Sequence, residues 1–310
     1  MILTVTLNAA IDKRYVLEQL TIGSVNRTIS TQASAGGKGI NVARVCHLLG
    51  EPVIATGFVG GFSGQYIQSE TNKQGITSKF YNVAGESRTC INMYDQSTSV
   101  QTEVLEGGIN VSPDDENGFK ELYSSLLDDV NIVVISGSVP TGSSDSIYNE
   151  LVEIAKSKNK KVIVDTSKDY LKRILDVHPT MIKPNSDELA YLKDLNNLTK
   201  SEAIIAAKEL HLTGIELVAV SLGAEGSIVA YDNKVYNVII PPVQTVNSVG
   251  CGDSMIAGFA TGLSRGLPIL DIIKLASACG TSNALSEETG FVDPDQVTEL
   301  IQKVVVEELA

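Results

Sequence analysis

The chain has 310 residues, 43% of them hydrophobic and 20% charged, with a formal net charge of −13. That length allows a substantial buried core without covalent staples, as one large α/β domain or two smaller ones. So acidic a chain is a poor general partner for nucleic acid, and any phosphate site in it must gather its few cations locally. Four scattered cysteines (Cys46, Cys90, Cys251, Cys279) and three dispersed histidines make no zinc pattern, so reduced thiols in a cytoplasmic protein are expected.

The opening stretch, 2–7, is apolar without a preceding basic segment and reads as a buried strand, not a signal peptide. No apolar run approaches membrane-spanning length. Further strands are expected at 53–58, 132–136, 162–165, 181–183, 217–221, 227–231 and 235–240. Helices are expected at 39–49, 63–74, 114–127, 145–158, 186–192, 201–212, 253–265, 269–285 and 295–307. Runs such as Ile132-Val133-Val134-Ile135 are almost wholly apolar, as a parallel strand covered on both faces must be. The fold class is therefore α/β, a mainly parallel sheet between two helical layers, with ligands beyond the carboxyl ends of the strands. Residues 12–34 and 86–106 break the rhythm with alternating polar and apolar positions. They suggest a small antiparallel sheet that covers a site or pairs with another subunit; two surface hairpins are the plainer reading. No repeat or linker marks a second domain, so 1–310 is taken as one.

Several short motifs carry chemistry. Asp12 follows the first strand, Arg27 and Arg88 stand in the two irregular stretches, and each alone reads as a turn cap or a surface charge. Ala35-Gly36-Gly37-Lys38-Gly39-Ile40-Asn41 precedes a helix, offering close backbone approach, a cation and an amide. It is no Walker A loop, because Gly39 stands where a magnesium-holding Ser or Thr is required. The turn 136–140, containing Ser138, is weak alone. In Lys183-Pro184-Asn185-Ser186-Asp187-Glu188, Asn185 or Ser186 can serve as a helix N-cap, and Asn185 with Glu188 one turn on could hold magnesium through water. Ser221-Leu222-Gly223-Ala224-Glu225-Gly226 reads as an ordinary hairpin. Asn247-Ser248-Val249-Gly250-Cys251-Gly252-Asp253 is the most informative stretch. A glycine turn feeding a helix leaves several N–H groups aimed at one point, a site for phosphate or a developing anion. A carboxylate there does not bind the anion, but it can take a proton from whatever attacks it. The spacing also fails the dinucleotide pattern, since Met255 occupies its last glycine.

Together these residues resemble the PfkB, or ribokinase-like, family of carbohydrate kinases along essentially the whole chain. Residues 35–41 are similar to its first signature, and Val249-Gly250-Cys251-Gly252-Asp253 with Ala257-Gly258 to its second. Lys183-Pro184-Asn185-x-x-Glu188 and Thr6-Leu7-Asn8 look like its phosphohexokinase branch, which includes 1-phosphofructokinase and tagatose-6-phosphate kinase. The resemblance implies a ribokinase-like three-layer α/β/α sandwich with a small β-sheet lid, formed here by 12–34 and 86–106, which often makes a homodimer contact. It implies ATP and Mg2+ as cofactors and a ketohexose monophosphate as substrate. Asp253 would be the base, and Gly250, Cys251 and Gly252 the anion hole. Asp12, Gly37, Lys38, Asn41 and Ser138 would hold the sugar, and Arg88, with Arg27 and Lys38, its phosphate. Lys183, Asn185, Ser221, Gly223, Gly226 and Asn283 would attend the nucleotide, and Asn185 and Glu188 the magnesium. A kinase for an unphosphorylated sugar or nucleoside, or a silent sugar-phosphate sensor, would share the fold. Cys251 departs from the Ala, Ser or Gly usual in the family, and an acidified, alkylation-sensitive thiol is expected there. Ala9 replaces a proline usual in the branch, Gly107-Gly108 replaces a usual Gly-Pro, and both touch the choice of sugar.

Overall fold

Alternation along the first strand sets the layering: Ile2 points into one hydrophobic core, Leu3 and Val5 into the other. Neighbouring strands repeat the split, so both faces of the sheet need helices. The computed structural model describes residues 1–309. In chain order its first half runs β1 (Ile2–Thr6), β2 (Ala10–Leu17), β3 (Thr28–Gly36), α1 (Lys38–Leu48), β4 (Val53–Val59), α2 (Gly61–Lys73), β5 (Thr77–Ser78), β6 (Tyr81–Asn82), β7 (Arg88–Asp95), β8 (Val100–Leu105), α3 (Pro113–Leu126) and β9 (Ile132–Ser136). The second half runs α4 (Ile147–Ser157), β10 (Lys161–Asp165), α5 (Lys168–Ile174), β11 (Met181–Ile182), α6 (Ser186–Leu192), α7 (Lys200–Leu212), β12 (Leu217–Ser221), β13 (Ser227–Tyr231), β14 (Lys234–Ile239), α8 (Cys251–Ser264), α9 (Ile269–Ala284), α10 (Pro294–Ile301) and β15 (Val305–Leu309).

The large sheet has the order β15-β14-β13-β12-β11-β10-β9-β1-β4-β5, with β6 also on β4. From β12 to β5 every pair is parallel, while β13, β14 and β15 add antiparallel. One core packs α1, α8, α9 and α10 on the sheet through Ile40, Phe259, Ile273 and Val297. The other packs α3 to α7 through Phe119, Leu151, Leu171, Leu189 and Ala203. The parallel α/β sandwich is thus as expected, with local differences. The helix expected over 295–307 stops at Ile301, and the chain turns into β15 against β14. The β-branched run Val304-Val305-Val306 finds an open sheet edge there, and pairing overrides a helical period that fits it equally well. Helix α5 and the two-residue strands β5 and β6 were not expected; such short elements carry too little periodicity to read.

The irregular stretches do form a second sheet, ordered β3-β2-β7-β8. Its outer pairs are antiparallel as expected, but β2 and β7 run parallel. Both leave the same carboxyl edge of the large sheet, after β1 and β6 respectively, so they travel outward in one direction. This lid rises over the ends of the central strands.

Candidate active site

The carboxyl ends of four neighbouring strands supply Gly137 just past β9, Asp165, Lys183 just past β11, and Ser221. With the lid and the start of α8 they enclose a cavity of about 1080 Å³. Thirteen of the expected site residues line it: Asp12, Gly37, Lys38, Asn41, Arg88, Ser138, Lys183, Asn185, Glu188, Ser221, Gly250, Gly252 and Asp253.

Gly250 takes a left-handed conformation, φ 85°, as N-cap of α8. A side chain there would drive into Gly290 and Asn283, so only glycine makes this turn. The Cys251 N–H makes a long 3.4 Å bond to the Ser248 carbonyl, whereas those of Gly252 and Asp253 have no acceptor among the described residues. Donors left open at a helix N-terminus suit an anion. A Cβ on Gly252 would lie 3.3 Å from the Lys183 ammonium, so a buried cation stands at the same spot. Asp253 sits in the first turn, 6% exposed, accepting from Asn41 Nδ2 at 2.9 Å on Oδ2. Burial raises its pKa; Lys38 opposes the rise and Asp165 adds to it. The carboxylate is thereby a stronger base than one in water.

Asp165, 2% exposed, faces Lys38 Nζ at 3.1 Å and Lys183 Nζ at 3.5 Å. Burial alone would raise its pKa, but the two ammonium groups outweigh that and hold it below the usual carboxylate range. In return Asp165 leads the forces that raise the Lys38 pKa. One acid therefore keeps two charged lysines at a fixed spacing across the floor of the cavity.

From the lid, Asp12 accepts from the Gly37 N–H, and burial pushes its pKa up to about 6 against the pull of that bond, Arg44 and Arg88. A Cβ on Gly36 would take the place of the Asp12 carboxyl, so a side chain there would push Asp12 aside. The Arg88 guanidinium donates to the Asn8 carbonyl at 3.1 Å, the Glu106 carbonyl at 3.4 Å and Ser138 Oγ at 3.4 Å. Arg88 and Ser138, far apart in sequence, thus meet. Arg27 does not join them: it is exposed in the turn before β3, outside the cavity.

On the opposite side, Asn185 caps α6 in a reciprocal capping box, Oδ1 accepting from the Glu188 N–H and Glu188 Oε2 from the Asn185 N–H. Glu188 Oε1 remains spare, and burial raises the carboxyl's pKa. A hard cation would relieve that raised carboxyl, and a single spare oxygen suits magnesium that keeps most of its water shell. Gly223 and Gly226, expected beside a nucleotide, do not line the cavity. Gly226, φ 86°, is required because a Cβ would strike the Val238 carbonyl, which makes it a hairpin glycine. Asn283 is corrected too. It is fully buried, accepting on Oδ1 from Ser254 Oγ and the Gly290 and Phe291 N–H groups and donating Nδ2 to the Val249 carbonyl. It braces the glycine turn from beneath and does not line this cavity. Cys251 also turns inward, its Sγ beside the Asn247 carbonyl at 3.7 Å and Asn283 Nδ2 at 3.4 Å. Burial pushes this thiol up, further than the Asn283 bond lowers it, so the acidified thiol expected from sequence is not found.

Two residues of the site were not singled out from sequence. Asp165 had a legible signal, an acid ending a buried parallel strand. Arg44 had a fainter one, a cation three residues after Asn41 on a helix otherwise buried through Ile40, Val42, Ala43, Val45 and Cys46. Arg44 is 8% exposed.

Comparison with known proteins agrees with this fold. The profile described as pfkB family carbohydrate kinase matches residues 5–296. The chain is 38% identical over 314 residues to tagatose-6-phosphate kinase of Staphylococcus epidermidis, covering the whole of both. A protein of Thermotoga maritima described as a possible 1-phosphofructokinase superposes with a TM-score of 0.91 at 30% identity, covering all of both chains. Phosphofructokinase-2 of Escherichia coli, solved in complex with potassium, superposes with a TM-score of 0.91 at 25% identity over 97% of this chain and 98% of that one.

Proposed function

The chain belongs to the pfkB family of carbohydrate kinases and is a phosphotransferase with an alcohol group as acceptor, and we propose that it transfers phosphate from ATP to a ketohexose monophosphate, fructose 1-phosphate or tagatose 6-phosphate. The observation that carries this is Asp253: a raised, buried carboxylate one turn into a helix whose open N–H groups and neighbouring Lys183 await an anion. A sugar hydroxyl that loses its proton to Asp253 attacks the γ-phosphorus, the bond from that phosphorus to the bridging oxygen of ADP breaks, and the charge on the moving group meets Gly252, Asp253 and Lys183. Magnesium, held through water by Glu188 with Asn185 shaping the turn, would neutralise charge on the nucleotide phosphates.

Arg88 supports a phosphorylated acceptor. Its guanidinium now leans on two carbonyls and a hydroxyl, all neutral, and a phosphate would give it the charged, forked partner it lacks. A lid contact between two copies fits the exposed Ile29, Val104 and Leu105. Free thiols at all four cysteines fit a reducing compartment, and no helix among the described residues is long and apolar enough to cross a membrane.

A coupled ADP-release assay across fructose 1-phosphate, tagatose 6-phosphate, fructose 6-phosphate, free hexoses and nucleosides tests the reading. Turnover is expected with a ketohexose phosphate, and Arg88→Ala should raise its KM by about 10- to 100-fold, the loss of a charge-assisted contact. Turnover of free sugars or nucleosides alone, or an unchanged KM, defeats the proposal.

A further inference from the structure

We infer that Arg44 is a positioning residue for the reaction: by seizing the carbonyl of Asn41 it fixes which oxygen of Asp253 is free, and it ties that choice to the hinge of the lid. The inference rests on Asp253 being the base.

Arg44 donates Nε to Gln74 Oε1 at 3.0 Å, Nη1 to Asn41 Oδ1 at 3.1 Å and to the Thr289 carbonyl at 2.9 Å, and Nη2 to the Ala35 carbonyl at 2.6 Å. None of the four acceptors is a carboxylate. Burial lowers its pKa, and the acids that counter this, Asp12, Glu288 and Asp253, act without an ion pair to it. Burying a cation among neutral partners is costly, and an apolar side chain on this face of α1 would pack without that cost. The arrangement of partners supplies a reason for the charge. An amide has two faces of similar shape, and only its bonds decide which end is the donor. Guanidinium has no acceptor, so the end of Asn41 that faces Arg44 must be the carbonyl. Its NH2 then has one direction left, toward Asp253 Oδ2 at 2.9 Å. With one lone pair of Oδ2 taken by that donor and Oδ1 accepting nothing from the chain, Oδ1 is the oxygen more open to an incoming hydroxyl.

Two of the remaining three bonds reach the surroundings of that hydroxyl. Ala35 is the penultimate residue of β3, where the lid joins α1. Thr289 sits in the loop whose side chain and backbone hold the glycine turn: Asn247 Nδ2 donates to Thr289 Oγ1 at 3.2 Å, and the neighbouring Gly290 N–H donates to Asn283. Arg44 thus spans the lid hinge, the base and the brace of the anion hole with one planar group. A lysine, a point donor on a flexible stem, reaches one or two of these acceptors and not all four.

The test is steady-state kinetics of Arg44→Met, Arg44→Lys, Asn41→Ala, the two Arg44 changes combined with Asn41→Ala, and Asp253→Asn. ATP and whichever of fructose 1-phosphate or tagatose 6-phosphate the enzyme turns over are the substrates. Arg44→Lys keeps the buried charge and covers the case that Arg44→Met does not fold. Each Arg44 change should lower kcat on the order of 10- to 100-fold, the effect of a misdirected reacting group, with the KM for ATP little changed. In the Asn41→Ala background each should add less than about threefold, because residues that act through one another are not additive. A merely structural arginine predicts lower thermal stability with full effects multiplying in both backgrounds, and that result, or a folded Arg44→Lys with wild-type kcat, overturns the inference. Wild-type turnover in Asp253→Asn overturns the base reading beneath it; lost turnover there with intact Arg44→Lys overturns the role of Arg44 alone.

Discussion

The cavity is built by two regions of opposite character. On the body side, Asp253, Lys183 and Asp165 are each at most 6% exposed, and the turn that carries the base is braced by Asn283, itself fully buried. On the lid side, six of the nine residues of β3 are exposed, and Arg88 rests on three loosely spaced acceptors. Few buried contacts mean low local stability, which is where motion concentrates. On the proposed function the difference teaches a division of labour: the groups assigned to proton and phosphoryl transfer belong to the tightly packed body, and those assigned to the sugar belong to the more exposed second sheet.

The sharpest way to break that division is at the base itself. Asp253→Asn keeps the volume and the Asn41 contact but accepts no proton at neutral pH. Its kcat should fall about 10²- to 10⁴-fold, the usual scale of general-base loss. ATP binding, measured by calorimetry or fluorescence, should persist. If turnover survives, the body holds no base, and the comparison with the lid loses its meaning.

Much of this body was legible in the sequence, for a physical reason. Val249-Gly250-Cys251-Gly252-Asp253 and Lys183-Pro184-Asn185 are local: neighbours in sequence are neighbours in space, and the turn chemistry is written in adjacent residues. What was not legible depends on distant parts of the chain. Asn283 looked like a nucleotide contact because nothing local reveals that Gly290, Phe291 and Val249 consume its amide. Cys251 looked acidified because the helix terminus is visible in sequence, whereas its burial beside Asn247 is not. Arg27 was placed at the substrate phosphate by the family resemblance, while alone it reads as a surface charge; it stands exposed before β3, outside the cavity of its own chain. At the C-terminus, 304–309 became a strand because β14 offered an edge, a tertiary fact.

Packing gives a second contrast, read by thermal unfolding. Gly258 lets α8 cross α9 closely; a Cβ there would lie 2.5 Å from Ala276 Cα and 2.9 Å from its nitrogen. Those are backbone atoms that cannot rotate away, so the helices must part. Alanine gains about 0.5–1 kcal/mol of helix propensity over glycine, while overpacking costs about 1–3 kcal/mol, so Gly258→Ala should lower Tm. Ile29, 58% exposed on the lid, should change stability by no more than about 0.5 kcal/mol when replaced by Ser. Equal losses at the two positions would mean that the lid is as tightly packed as the body.

A further contrast concerns a lid acid that reaches into the body. Asp12 has its pKa raised to about 6 from 3.8, with burial as the leading cause. A carboxyl whose folded pKa lies above its unfolded value binds its proton more tightly in the folded state. Its stabilising contribution is therefore complete below about pH 4 and is lost as pH climbs through 6. Asn has nearly the same shape and no charge to bury. Wild type and Asp12→Asn should accordingly unfold at similar temperatures near pH 4, and the variant should gain a few degrees by pH 7.5, while its KM for the sugar phosphate worsens. That opposite movement of stability and binding is what a residue retained for its ligand should show. A variant less stable than wild type at pH 7.5 would mean that Gly37, Arg44 and Arg88 together outweigh the burial of the charge, and that Asp12 serves to fasten the lid in place.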